Sequence, residues 1–173
     1  MKHTLIMMAG PASSGKSVFA KIIKDSHDDC VVVSYKQMAK AALVAKEPQH
    51  YVDKRYIEAL NNMLETHEYV IADNYNINAN ERKKIFDNIN IDKYNIICVW
   101  VETPLNVALK RNAQLDEKWR RSEDSIKQMY KIKVSPQEQE PFKKVIFISE
   151  QMNYAIGTDT MEIQNILDTL KAL

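Results

Sequence analysis

The stretch "AGPASSGKSV", residues 9–18, holds two of the three glycines in a chain of 173 residues. Glycine serves where backbone bends sharply or comes bare against a neighbour, so its scarcity here makes Gly10 and Gly15 informative. Together they read Gly-x-x-x-x-Gly-Lys-Ser, the spacing of a phosphate-cradling loop. Its glycines let successive N–H groups face inward, its lysine reaches the outer phosphates, and its serine hydroxyl meets magnesium. The pattern carries weight only between a strand and a helix. Upstream, "HTLIMMA" (3–9) is a short apolar run that reads as a buried strand, and downstream Val18, Phe19, Ile22 and Ile23 recur at helical spacing until Asp25 and Ser26. The expectation is that Gly10 and Gly15 leave bare N–H groups around a nucleotide's β-phosphate, at the positive end of a helix starting near Lys16.

The rest of the chain fits one compact domain over residues 1–173, long enough to bury a substantial core. Lysine and arginine number 24 against 23 aspartates and glutamates, and a net charge of +1 argues against a surface coated with positive charge for long-range duplex binding. Cys30 and Cys98 border or sit within apolar runs and lack metal spacing, which reads as small core residues in a reducing compartment. No signal sequence is evident and no apolar run approaches membrane-spanning length, so the expectation is a cytoplasmic protein without a membrane partner.

Beyond the loop, strand-like runs recur at "CVVVS" (30–34), "YVIAD" (69–73), "NIICVWV" (95–101) and "KVIFIS" (144–149). Helical stripes separate or follow them: Val52 to Met63, Ala79 to Ile89, Leu105 to Asn112, Ile126 to Ile132 and Ile163 to Leu170. Nearly continuous apolar strands alternating with helices indicate an α/β fold with a five-stranded parallel sheet covered on both faces. Ligands of such sheets bind beyond the carboxyl ends of the strands. The residues that follow the second, third and fourth runs are Ser34 to Lys36, Asp73-Asn74 and Glu102-Thr103-Pro104.

Asp73 closes an apolar strand, where a carboxylate can hold Mg²⁺ directly or through water, or take a proton from an attacking hydroxyl. Asn80 reads as a helix cap preceding Glu81 and Arg82. The segment from Lys110 to Lys133 is the most charged in the chain, and its arginines suit a cover over phosphates: Arg111 and Arg121, with Arg120 as the substitute for Arg121. Ser122, followed by Glu123 and Asp124, reads as the cap of the next helix. Trp119 either packs this segment or stacks on a base, packing being the first expectation. His50, in "EPQHYVDKR" (47–55), falls in a polar connector.

Assembled, these features resemble a P-loop kinase of the polynucleotide 5′-kinase type, the kinase half of phage end-healing enzymes. The marks are "GPASSGKS", "YVIADNYNINANERKKIF", "VALKRN" and "SIKQMYKI" (125–132). The resemblance implies a P-loop NTPase three-layer fold with sheet order 2-3-1-4-5, a helical lid over about 111–133, and transfer of an ATP γ-phosphoryl group to a hydroxyl. ATP would lie on Gly10, Pro11, Ala12, Ser13, Ser14, Gly15, Lys16, Ser17 and Val18, with Ser17 and Asp73 as the magnesium residues. Lys16, Asp73, Arg111 and Arg121 would be catalytic. The acceptor would be a polynucleotide 5′-end or a small nucleoside-type hydroxyl.

Two departures stand out. The family carries Asp-x-x-Arg after the second strand, as the acceptor's base and phosphate holder, whereas this chain reads "SYKQMAK" (34–40). Lys36 stands where the aspartate belongs, and Ala39 or Lys40 where the arginine belongs, so Lys36 and Lys40 are expected as electrostatic contacts to an anionic acceptor. The family's second lid arginine, four residues after Arg111, is Leu115 here. The competing reading is a degenerate ATP-binding protein that keeps the donor site with little or no transfer. A guanine-specific switch is a weaker third reading, because no Asn-Lys-x-Asp run is present.

Overall fold

The computed structural model describes residues 2–148 and the separate positions 165, 168, 169 and 172. Five strands run through it: β1 (Thr4–Ala9), β2 (Cys30–Ser34), β3 (Tyr69–Asp73), β4 (Asn95–Val101) and β5 (Lys144–Ile148). All pairings are parallel and the order is β2-β3-β1-β4-β5. The chain therefore has the α/β architecture and strand order of a P-loop kinase fold. The helices are α1 (Lys16–Asp25), α2 (Tyr35–Val44), α3 (Gln49–Thr66), α4 (Ala79–Phe86), α5 (Leu105–Ala113) and α6 (Glu123–Ile132), with a 3-10 turn at Glu117–Trp119.

The central strand shows why three layers form. Successive side chains of a strand point to opposite faces, and in β1 both faces are apolar and buried. Ile6 and Met8 pack with Phe19, Ala20 and Ile23 of α1 on one face. Leu5 and Met7 pack with Tyr56, Leu60 and Leu64 of α3 and Ile85 of α4 on the other. Burying a large apolar side chain contributes roughly 1.5–3 kcal/mol, so two such faces fix the register on either side of β1. That register sets Ser34 beside Asp73 at the carboxyl edge of the sheet, and Asp73 beside Met8. The two thiols behave as core groups, since burial pushes Cys98 up to about 12 and half-buried Cys30 up to about 11.

Two local readings are corrected, and one helix was not anticipated. Helix α2 carries no strong apolar stripe, with Ala42 its one buried residue, so periodicity does not reveal it. What starts it is a cap, the Ser34 hydroxyl accepting from Gln37 N–H at 3.4 Å. His50 belongs to the first turn of α3 rather than to a connector, because the helix begins at Gln49 directly after Pro48. The cap of α4 is Asn78, whose Oδ1 accepts from Glu81 N–H at 3.1 Å, while Asn80 already lies inside the helix. An N-cap needs extended backbone, which Asn78 has at φ −145° and ψ 170°. The Ser122 cap of α6 is as expected, its hydroxyl accepting from Ser125 N–H at 3.2 Å. Apart from the separate positions above, the stripe from Ile163 to Leu170 lies outside the described residues, as does Ser149 of the fifth run.

Candidate active site

The loop between β1 and α1 is built around Lys16. Lys16 is 7% exposed, and its ammonium donates to Gly10 O at 2.9 Å, Pro11 O at 2.6 Å and Ser14 Oγ at 3.3 Å. Burial brings its pKa down to about 7, Asp73 opposing the shift and Lys36 and Arg121 adding to it. Gly15 caps α1 with φ 98°, a left-handed conformation that glycine adopts without strain, and the first turn of α1 holds no acidic side chain. The N–H groups at this helix end thus receive no side-chain cap from the helix itself, an arrangement that suits an anion.

Gly10 plays a different part from the one expected. Its N–H is already used, donating to Tyr75 O at 2.8 Å. Its bare face meets Val101 of β4: an added Cβ would lie 2.5 Å from that carbonyl oxygen, at a backbone φ of +140°. Gly10 and Pro11 therefore stand behind the cradle and hold Lys16, while Ala12 to Val18 line the cavity in front. The reason is tertiary packing: the loop threads between β4 and the turn after β3. Gly10→Ala is expected to destabilise the chain by about 1–3 kcal/mol with no nucleotide present. Urea unfolding with an unchanged midpoint would show that this close approach is not needed.

Asp73 and Ser17 come together from positions 56 residues apart in sequence, the Ser17 hydroxyl donating to Asp73 Oδ2 at 3.1 Å. Asp73 is 8% exposed and, among the described residues, is the one carboxylate lining a cavity of about 740 Å³. Lys16, Lys36, Lys40, Arg111, Lys118, Arg120 and Arg121 line the same cavity. One negative charge among so many cations suits a polyanionic ligand. The Ser17–Asp73 pair offers two hard oxygens, and no group of three or more His, Cys, Asp or Glu side chains that could hold a metal occurs among the described residues. That set fits Mg²⁺, which keeps water and substrate phosphates as its other ligands.

Helix α2 forms one wall. Lys36, Ala39, Lys40 and Leu43 follow the i, i+3, i+4, i+7 spacing of one helical face, and all four line the cavity. Burial, Lys40 and Arg121 lower the pKa of Lys36, with Asp73 acting against them. Tyr35, at the start of α2, donates to Asp53 at 2.5 Å and accepts from Gln49 at 2.6 Å. Gln49 lines the cavity, whereas His50 stacks on Tyr51 outside it.

The expected lid segment forms the facing wall. Arg111 donates to Ser13 O at 3.3 Å. Arg121 donates through Nε to the Tyr75 hydroxyl at 2.8 Å, its guanidinium carbon 4.8 Å from the ring centre, whereas Arg120 is engaged by Leu115 O at 2.5 Å. Of the two alternatives, Arg121 is the one turned toward the phosphate loop. Helix α6 does not stand clear of the molecule, since Ile126 is buried with Ala12 of the loop and Ala108 of α5. Trp119 is half-buried in this segment and its ring lines the cavity, with Lys40 Nζ 4.3 Å from the ring centre.

Four polar residues take structural roles that the sequence did not assign, although Asn76 and Arg82 belong to the stretch that carries the family resemblance. Asn112 clamps Arg121 by a reciprocal pair, its amide donating to Arg121 O at 2.8 Å and its carbonyl accepting from Arg121 N–H at 3.0 Å. Asn76, at φ 46° and 1% exposed, donates to Met8 O at 2.8 Å and ties the turn after β3 to the end of β1. Fully buried Arg82 forms a fork with Glu140, at 2.6 and 2.8 Å, and donates to Asn76 O, Val134 O and Ser135 O. Tyr75 meets both Arg121 and Lys16, the latter 5.1 Å from its ring centre. Asn76 and Arg82 stand in the stretch "YNINANER", where their spacing was a usable signal.

Comparison with known proteins agrees with this architecture. The chain resembles a chain of the Pnkp1/Rnl/Hen1 RNA repair complex at 17% identity, TM-score 0.64, over 80% of this chain and 50% of that one. It thus spans about half the length of that RNA repair chain. Kti12 of Chaetomium thermophilum, solved with ADP-AlF3, matches at 13% identity and TM-score 0.66 over 96% of this chain and 98% of its own. A gluconokinase of Sinorhizobium meliloti 1021 matches at 10% identity and TM-score 0.57 over 96% of this chain and 95% of its own. At such identities the shared property is the fold. No curated protein gives a significant sequence match. The family model described as AAA domain matches residues 5–131, from β1 through α6, and on that match the chain belongs to the AAA domain family.

Proposed function

We propose that this protein is an ATP- and Mg²⁺-dependent kinase of the polynucleotide 5′-kinase type. It would transfer the γ-phosphoryl group to a hydroxyl of a polynucleotide 5′-end or a small nucleoside-type acceptor. The observation that carries the reading is the convergence of Lys16, the Ser17–Asp73 pair and Arg121 on one cavity whose second wall, α2, presents further cations. In this reading residues 12–18 cradle the phosphates, Ser17 and Asp73 hold magnesium, and Arg111 and Arg121 neutralise charge on the transferring group. Magnesium held there would supply positive charge against the negative charge of the nucleotide's phosphates. Lys36 and Lys40 act on the acceptor side as point charges, without the fork that an arginine would supply. The RNA repair chain and the fungal RNA kinase among the structural neighbours support a nucleic-acid acceptor, and the gluconokinase supports a small one.

One observation favours a second reading, an ATP-binding protein with little transfer. Among the described residues Asp73 is the sole carboxylate lining the cavity and already faces Ser17, and α2 itself presents lysines there and no carboxylate as acceptor base. Both readings are tested by following labelled γ-phosphate onto 5′-hydroxyl oligonucleotides, nucleosides and sugars. Transfer by the wild type is expected to be slow, Lys36→Ala should raise the acceptor's KM more than it lowers kcat, and Lys36→Asp with Ala39→Arg should create or increase 5′-kinase activity. Full nucleotide binding with no transfer to any acceptor, before and after that double substitution, would favour the second reading. Fast transfer unaffected by Lys36→Ala would remove α2 from the acceptor site.

A further inference from the structure

The indole of Trp119 is placed where a core residue would not be. It is half-buried, lines the cavity opposite α2, and its N–H has no hydrogen-bond partner among the described residues. Lys40 approaches its ring at 4.3 Å and Lys118 at 5.2 Å. A cation over an aromatic face at a partly exposed site is held weakly, so a flat ring can take its place. Lys40 is also one turn from Lys36 on α2, and neither has an acidic partner in an ion pair among the described residues. Their mutual repulsion is part of what lowers the pKa of Lys36, and a bound anion would relieve it.

We infer that Trp119 is a specificity-determining residue of the acceptor side: its indole plane receives a planar aromatic ring of the acceptor, while Lys36 and Lys40 receive a negative charge on the same molecule. The inference rests on the kinase reading above for the cavity's donor half, and it excludes a sugar without an aromatic ring as the preferred acceptor. Stacking of a base on an aromatic side chain is worth about 1–3 kcal/mol, which corresponds to roughly 5- to 150-fold in affinity. A nucleoside phosphate has the required chemistry, whether free or at the end of a strand.

Binding to the full chain tests this with ADP and Mg²⁺ saturating, so that the donor cradle is filled. The probes are deoxyadenosine 3′-monophosphate, ribose 5-phosphate and a 5′-hydroxyl octanucleotide. Trp119 reports directly, because the other tryptophan, Trp100, is 1% exposed in the core. The mononucleotide is expected to change the emission saturably and to bind at least about ten-fold more tightly than the base-free sugar phosphate. By calorimetry, Trp119→Leu should erase that preference, Trp119→Phe should keep most of it, and Lys36→Ala should weaken both ligands alike. An octanucleotide bound much more tightly than the mononucleotide assigns the platform to a strand end, and equal binding assigns it to a single nucleotide unit. Equal affinity for the mononucleotide and ribose 5-phosphate, a preference that survives Trp119→Leu, or no binding of any probe overturns the inference. Thermal stabilisation by ADP and Mg²⁺ in the same samples separates that failure from failure of the kinase reading, which would remove the stabilisation as well.

Discussion

Lys16→Ala should abolish phosphoryl transfer and remove most of the stabilisation that ATP and Mg²⁺ give the wild type, while Lys21→Ala should change neither. Lys21 lies on the exposed face of α1 and pairs with Asp25, so it serves as the control for charge alone. Lys16 is buried with its ammonium on loop carbonyls, and its pKa of about 7 means that the apo loop carries this charge only partly at neutral pH. Phosphate oxygens favour the charged form. Nucleotide binding at pH 8 should therefore take up about one proton, seen as a binding enthalpy that varies with the ionisation enthalpy of the buffer. The same shift sets a sign for stability. Between about 7 and the ordinary 10.5 the unfolded chain holds a proton that the folded chain has released, so stability without nucleotide rises with pH across that window. Below about 7 both states carry the proton, and the cost of burying the charge is present in full. Lys16→Ala should flatten this rise and remove the proton uptake. Wild-type turnover and equal nucleotide stabilisation in the variant would exclude Lys16 from the phosphate site.

Asp73→Asn should lower transfer by orders of magnitude while leaving metal-free nucleotide binding intact. The amide still fills the space and can still accept from Ser17, but it lacks the negative charge that Mg²⁺ requires of a carboxylate ligand. If Asp73 also takes the acceptor's proton, its loss adds roughly 10²- to 10⁴-fold. A magnesium titration separates the two roles. A right-shifted magnesium dependence with partial recovery at high Mg²⁺ marks a metal ligand, and a lower plateau at unchanged magnesium dependence marks a base. Unchanged turnover and unchanged magnesium dependence together would remove Asp73 from the chemistry.

Sequence reading located all five strands because their apolar runs are nearly continuous, and the central strands β3, β1 and β4 are buried on both faces, so the signal is strong and local. It located the phosphate loop because "GPASSGKS" is a contiguous pattern, and Asp73 because a strand end is a fixed place in such a sheet. Helix α2 was not legible, because it begins from a Ser34 cap and buries Ala42 alone. The same lack of a buried stripe leaves one face of α2 open to the cavity.

By itself the sequence determined the class of fold, the anion-binding loop and the departure at "SYKQMAK", all properties of adjacent or evenly spaced residues. Tertiary structure decided the roles of residues whose partners are distant in the chain. It set Gly10 against Val101 and Tyr75 instead of a phosphate, turned Arg121 rather than Arg120 toward Tyr75, and brought Ser17 onto Asp73. It also folded Arg82 over Glu140 and placed Trp119 across from Lys40. Hydrogen bonds and ring contacts act over only a few ångströms, and which side chains come that close is fixed by the order of the strands and the packing of the helices on them.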